Sequence, residues 1–310
     1  MMTDFQTAVQ KYLSLRRALG FKLRQHETLL ADFAQCLEQA EATTLTAEQA
    51  VAWATAPTGV QPEWWKRRLS VVRGFARYLQ SLDSNTEVPA ANQLAYRYQR
   101  PVPYLYTDEE IRAIMTAAGD LRPSFRAETY RTLVGLLAAT GIRVGEALRL
   151  NQSDVDYATG RLTIRLTKFG KSRILPLHST ITAALEAYRN RRDRYSGPPQ
   201  STKSFFMSIR GTRLIDAVVH RTFRQLVTTV GLGPRARSGP PRIHDLRHVF
   251  AVATLRDWYA TGQPVASQLP LLSAYLGHVN PVSTYWYLQT DAELLRLAME
   301  RLDRIPTVRP

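Results

Sequence analysis

Between Asp83 and Pro103 the hydrophobic periodicity of this 310-residue chain stops. Ser84, Asn85, Pro89, Ala90, Asn92, Pro101 and Pro103 interrupt any helical or alternating pattern, and each proline fixes φ and withdraws a backbone donor. Residues 86–103 therefore read as a linker, so the chain must build two cores, one from residues 1–85 and one from residues 104–310. With 45% hydrophobic residues there is apolar material for both.

The first part reads as helix almost throughout. Phe5, Val9, Tyr12 and Leu13 recur at helical spacing, as do Leu29, Leu30, Phe33 and Leu37. Thr46-Ala47-Glu48-Gln49 has the form of a capping box opening a third helix through Val51 and Trp53. A fourth helix is expected after Pro62, from Trp64 to near Leu82. On it Leu69, Val72, Ala76 and Leu79 make one apolar stripe, while Lys66, Arg73 and Arg77 fall on another. Such a basic stripe either faces a phosphate backbone or is simply a solvated face.

In the second part Thr107-Asp108-Glu109-Glu110 is again a capping-box pattern. Arg161-Leu162-Thr163-Ile164-Arg165-Leu166 alternates apolar with polar, and Ile174-Leu175-Pro176-Leu177 answers it across Lys168-Phe169-Gly170-Lys171, which predicts a β-hairpin. Helices follow to the end. The expected fold is mainly α with a small antiparallel β-sheet.

Lys and Arg number 41 against 26 Asp and Glu, a net charge of +15. Residues 1–100 account for +3 and the remainder for +12. An excess of this size favours a polyanionic partner, because each basic contact to a phosphate releases counterions. The one cysteine, Cys36, leaves no disulfide framework and no Cys-rich zinc ribbon, and fits a reducing compartment. No stretch is apolar enough to span a bilayer, and Met-Met-Thr-Asp-Phe-Gln lacks a basic-then-apolar leader. A cytoplasmic protein without membrane contact is expected.

Three segments carry chemistry. In Ala139-Thr140-Gly141-Ile142-Arg143-Val144-Gly145-Glu146, a helix ends at Gly141 and Arg143 opens the next one. An arginine at a helix start suits a phosphate, and Glu146 three residues on can hold its guanidinium; a surface ion pair would look the same. In Arg242-Ile243-His244-Asp245-Leu246-Arg247-His248, His244 and Arg247 share a helix face. His244 and His248 have a metal-like i, i+4 spacing beside Asp245, but the glutamate of the metalloprotease pattern is missing. In Tyr275-Leu276-Gly277-His278-Val279-Asn280-Pro281, Asn280 can cap and Pro281 can open a helix on which Tyr287 lies. A tyrosine on a helix is most often a packing residue.

Taken in order, the Thr-Gly-Ile-Arg-Val-Gly-Glu turn, a hairpin lysine, His-x-x-Arg, Leu-Gly-His and a tyrosine nine residues later resemble the tyrosine recombinases, the phage integrase and Xer-like family. The match spans roughly residues 104–290. The stretch from Arg247 to His278, with Gly262, Pro264 and Pro270 between Tyr259 and Leu272, is longer than in compact members of that family, which implies an extra loop between helices there. By this resemblance residues 1–85 would be a helical core-binding DNA-binding domain and residues 104–310 an α+β catalytic domain with a C-terminal helix and tail.

The resemblance implies a site-specific DNA recombinase that needs no metal and no cofactor. It would conserve phosphodiester energy in a 3′-phosphotyrosine. Tyr287 would be the nucleophile, with Tyr285 two residues too early. Arg143 and Arg247 would clamp the non-bridging oxygens, His244 would act as general base or oxygen donor, and His278 would add a hydrogen bond. Lys168, in better register with Pro176 than Lys171, would protonate the leaving 5′-oxygen. Glu146 would orient Arg143. Lys66, Arg73, Arg77 and Lys171 are the expected DNA contacts.

The implied partners are double-stranded DNA recombination sites, a homotetramer of this chain on them, and accessory proteins the sequence does not identify. The amphipathic segment from Asp291 to Leu297 either folds back on its own domain or packs onto a neighbour, the second being what the resemblance favours. A type IB topoisomerase would use nearly the same groups as a monomer. A non-catalytic DNA-binding regulator would explain the charge but not the ordered series, and a metal-dependent nuclease would need paired carboxylates that do not stand out.

Overall fold

The computed structural model describes residues 4–94, 101–165, 172–195, 203–235, 238–278, 280, 282–289 and 291–303. The chain divides into two compact units, Met1–Arg100 and Pro101–Pro310.

The first unit holds α1 (Phe5–Ala18), α2 (Arg24–Gln39), α3 (Ala47–Thr55) and α4 (Pro62–Gln80). The apolar stripes read from the sequence are the faces these helices bury. Phe5, Val9, Leu13, Leu30, Phe33, Leu37, Leu69, Val72, Phe75 and Ala76 form one core. Thr46 and Gln49 satisfy each other's backbone amides at the start of α3, and Pro62 takes the first position of α4, where its missing N–H costs nothing.

Residues beyond α4 run back along this unit. Glu87 N–H donates to the Leu45 carbonyl at 2.9 Å, its carboxylate accepts from Ala47 N–H at 2.8 Å, and Val88 and Leu94 pack on the core. Arg73 supplies hydrogen bonds to two carbonyls of this segment. Its Nε and Nη2 donate to the carbonyls of Pro89 and Ala90 at 2.8 and 2.7 Å. Those two bonds fix the Arg73 side chain against the segment that follows α4. Arg77 is exposed and Lys66 half-buried on the same helix.

The second unit begins with α5 (Asp108–Gly119), α6 (Ser124–Thr140) and α7 (Val144–Arg149). Next come β1 (Val155–Asp156), β2 (Arg161–Ile164) and β3 (Arg173–Pro176), then α8 (Ser179–Asp193) and α9 (Asp216–Thr229). It closes with α10 (Asp245–Ala260), α11 (Val265–Leu276), α12 (Val282–Tyr285), a 3-10 turn (Trp286–Gln289) and α13 (Ala292–Asp303). The strands form one antiparallel sheet in the order β1-β2-β3, with Leu162 opposite Leu175 and both buried. β1 adds a short third strand to the hairpin. The capping box at Thr107 and Glu110 is present.

Two apolar clusters share this unit. The larger is built on Leu133, Leu137, Leu162, Phe205, Phe206, Phe223 and Leu246, and the smaller on Leu255, Leu269, Leu272, Leu276, Tyr287 and Leu294. α10 feeds both, so it fixes the end of α6 relative to α11 and α13. The extra loop expected between Tyr259 and Leu272 is only a short turn, and Pro270 lies inside α11. A proline there removes one hydrogen bond, and burial of Val265, Leu269, Leu272 and Leu276 offsets the loss. α13 packs on α10 of its own chain through buried Leu294 and an Arg256–Asp291 ion pair. Among the described residues no helix is long and apolar enough to cross a membrane.

Candidate active site

α6 stops at Gly141, whose φ of 59° is left-handed and whose missing Cβ makes room for the Phe250 ring, 2.5 Å from where that atom would sit. The turn delivers Arg143 to the start of α7. There the Glu146 carboxylate accepts from Arg143 twice, from the backbone N–H at 3.1 Å and from Nη1 at 2.9 Å. Nη2 donates to the Gly277 carbonyl at 3.0 Å. The Arg143 side chain remains 35% exposed, so it is accessible from solvent.

Arg247, in the first turn of α10, is buried. Its Nη1 donates to Gly141 O at 2.9 Å and its Nη2 to Leu276 O at 2.7 Å. Burial pushes this guanidinium down to about 10, with the neighbouring Tyr287 hydroxyl opposing the shift, so it remains a cation at neutral pH. His244 immediately precedes the helix. Asp245 beside it is fully buried and ion-paired to Arg242 at 2.9 Å, which fixes the turn carrying His244.

α11 ends at Gly277 in the left-handed region, φ 69°, leaving its last carbonyls without intrahelical partners. They become an acceptor platform. Tyr275 O takes Arg173 Nε at 2.7 Å, Leu276 O takes Arg247, and Gly277 O takes Arg143. The negative end of the helix dipole suits three cations.

His278 follows at once, its Nδ1 2.7 Å from Thr284 Oγ1. Its ring lies 5.9 Å from that of Tyr287, and the His248 ring lies 5.4 Å from Tyr287 and 5.1 Å from His244. Tyr287 itself is 1% exposed on the 3-10 turn, whereas Tyr285 is 49% exposed on α12. The continuous helix expected from Asn280 is thus broken after Tyr285, and the break turns Tyr287 inward. Asn280 does cap, accepting from Val282 N–H at 2.9 Å.

Arg143, Glu146, His244, Arg247, His278 and Tyr287 therefore meet on the second unit. Lys168 and Lys171 lie outside the described residues, and Lys66, Arg73 and Arg77 belong to the first unit. Arg173 was not anticipated. It forms a bidentate pair with Glu146 at 3.2 and 2.8 Å, which with Arg143 makes two cations on one buried carboxylate. Burial alone would raise Glu146, but the hydrogen bond and charge of Arg173, then Arg143, hold it down at about 2. His248, which the sequence offers only at metal-ligand spacing, packs its ring against that of Tyr287. Among the described residues no group of three His, Cys, Asp or Glu side chains is placed to hold a metal ion.

Residues 105–293 match the model of the phage integrase family. An integrase/recombinase designated y4rB of Sinorhizobium fredii is 44% identical over 308 residues, which cover 98% of both chains. Tyrosine recombinase XerC of Chlamydia trachomatis is 30% identical over 230 residues, covering 74% of this chain and 67% of that one. Among solved structures, a lambda integrase tetramer bound to a Holliday junction superposes with a TM-score of 0.66 at 19% identity, over 94% of this chain and 78% of that one. An ordered arginine–histidine–arginine–histidine–tyrosine site on this fold, with that likeness along nearly the whole chain, defines a site-specific recombinase. The chain belongs to the phage integrase family of tyrosine recombinases.

Proposed function

We propose that this enzyme breaks and rejoins double-stranded DNA at specific sites through a covalent bond between Tyr287 and the 3′-phosphate. The Tyr287 oxygen attacks phosphorus, the new O–P bond replaces the bond to the 5′-oxygen, and the phenolic proton passes to His244. Lys168 returns a proton to the departing 5′-oxygen. Arg143 and Arg247 neutralise the charge that accumulates on the non-bridging oxygens, assisted by His278. Attack of the freed 5′-hydroxyl of a second duplex on the phosphotyrosine reverses the step and exchanges strands.

The observation supporting this most strongly is the placement of Tyr287 against Arg247 and between the His248 and His278 rings, while its neighbour Tyr285 points away. A cation and hydrogen-bonding rings around a phenol are what phosphoryl transfer to tyrosine requires. The lambda integrase tetramer on a Holliday junction shares this fold, and we assign the same assembly to this chain, with two rounds of cleavage in four protomers. Lys66, Arg77 and Lys171 contact the DNA backbone, and the first unit acts as the core-binding domain. The test is a nicked duplex carrying the cognate site. The parent chain accumulates a covalent adduct in the presence of chelator, and Tyr287→Phe binds the duplex without forming it. A requirement for added metal in cleavage contradicts the reading.

A further inference from the structure

Glu146 is 3% exposed, yet its carboxylate serves two arginines that come from different elements. Arg143 approaches from the start of α7 and Arg173 from the first residue of β3. If Arg143 were the only partner, the ion pair would be neutral, and a phosphate nearby would meet little of its charge. With Arg173 present the cluster carries one net positive charge. The Arg173–Glu146 pair closes on itself, and the unbalanced cation is Arg143, the more exposed member of the two. The carboxylate still fixes the plane of the Arg143 guanidinium through its 2.9 Å bond.

Arg173 also uses its third donor. Nε binds Tyr275 O at 2.7 Å, one residue before the carbonyl that holds Arg247 and two before the one that holds Arg143. One guanidinium thus spans the carboxylate and the helix end that anchor both phosphate-facing arginines. Only a planar fork reaches both; an ammonium offers a point charge to one of them. Space is reserved for it as well, since a Cβ on Gly277 would lie 2.7 Å from Arg173 Nη1.

We propose that Arg173 is a positioning residue of this site, neutralising Glu146 so that the charge of Arg143 is left for the scissile phosphate. This rests on the recombinase reading above. The arginine touches no reacting atom and acts through Glu146.

The experiment uses the full chain and a duplex selected from a random DNA pool by binding, nicked in turn at successive positions across the selected site. Affinity, thermal unfolding and the single-turnover rate of adduct formation are measured for the parent, Arg173→Gln, Arg173→Lys, Glu146→Gln and the double variant. Arg173→Gln is expected to bind within about threefold of the parent while adduct formation slows roughly 10–100-fold, with Arg173→Lys between the two. In the Glu146→Gln chain there is no carboxylate to neutralise, so adding Arg173→Gln should slow the reaction by less than about threefold.

An Arg173→Gln rate within about threefold of the parent overturns the inference, as does a loss that multiplies fully with that of Glu146→Gln. Unfolding of both Arg173 variants, or affinity and rate falling together without rescue by lysine, makes the residue a fold element and overturns it too. A parent chain that forms no Tyr287-dependent adduct refutes the recombinase reading itself, and this inference with it.

Discussion

The Arg247 guanidinium sits 2.7 Å from the carbonyl oxygen of Leu276, and through it a cation buried in α10 is tied to the end of α11. A second bond, 2.9 Å to Gly141 O, ties the same group to the end of α6. Charge-assisted bonds to helix-end carbonyls hold the cation in one plane without a carboxylate to cancel it. Lysine at this position keeps the charge but cannot reach both carbonyls. Arg247→Lys is expected to slow adduct formation by roughly 10²–10³-fold. Affinity for the duplex should change far less, and filter binding beside single-turnover cleavage separates the two.

The ionised state of Glu146 makes a signed prediction about stability. Its folded value, about 2, lies below the 4.5 of an unperturbed glutamate. The ion pairs therefore stabilise the fold fully above pH 4.5 and lose their contribution as the pH falls toward 2. Their contribution at neutral pH is on the order of 3 kcal/mol. Urea unfolding of the parent and Glu146→Gln at pH 7 should show a clear gap, and the gap should narrow at pH 3. A gap independent of pH would mean that the carboxylate charge contributes nothing.

Gly277 is constrained twice over, by a φ of 69° and by the Arg173 guanidinium beside it. Gly277→Ala should cost about 1–3 kcal/mol in stability from backbone strain and displacement of that arginine. It should reduce the rate of adduct formation by more than it weakens DNA binding, because the carbonyls of this turn hold Arg143, Arg173 and Arg247. Thermal unfolding read alongside cleavage checks both parts.

Among the five basic residues of α4, Lys66 and Arg77 should behave differently from Arg73. Lys66→Ala and Arg77→Ala should each weaken binding uniformly across DNA sequences and lower the slope of log affinity against log salt by about 1. Arg73→Ala should leave that slope unchanged and destabilise the fold, since Pro89 and Ala90 lose their donors. Salt titrations of the three variants make the comparison.

Much of this architecture is written in local patterns. The stripes of α1, α2 and α4 and the capping boxes at Thr46 and Thr107 are short-range signals, and the structure follows them. The ordered arginine, histidine and tyrosine segments are legible because each sits at a helix end marked by Gly141, Asp245 or Gly277. Arg173 was not legible. An arginine beside a hairpin turn reads as solvated, and its partners stand 27 residues upstream and 102 residues downstream. Pro270 misled for the opposite reason, since a local breaker was overridden by tertiary burial of α11. The inward turn of Tyr287 also depends on packing against α10, which no short-range pattern encodes.

Recombination by this chain requires that the phenolic oxygen of Tyr287 become esterified to DNA. This requirement is tested most directly by trapping the adduct on a nicked duplex, digesting protein and DNA, and locating the residual nucleotide by mass spectrometry. The prediction is a 3′-linked nucleotide on Tyr287 and none on Tyr285, two positions earlier. A nucleotide on Tyr285, on any other side chain, or on none would contradict it.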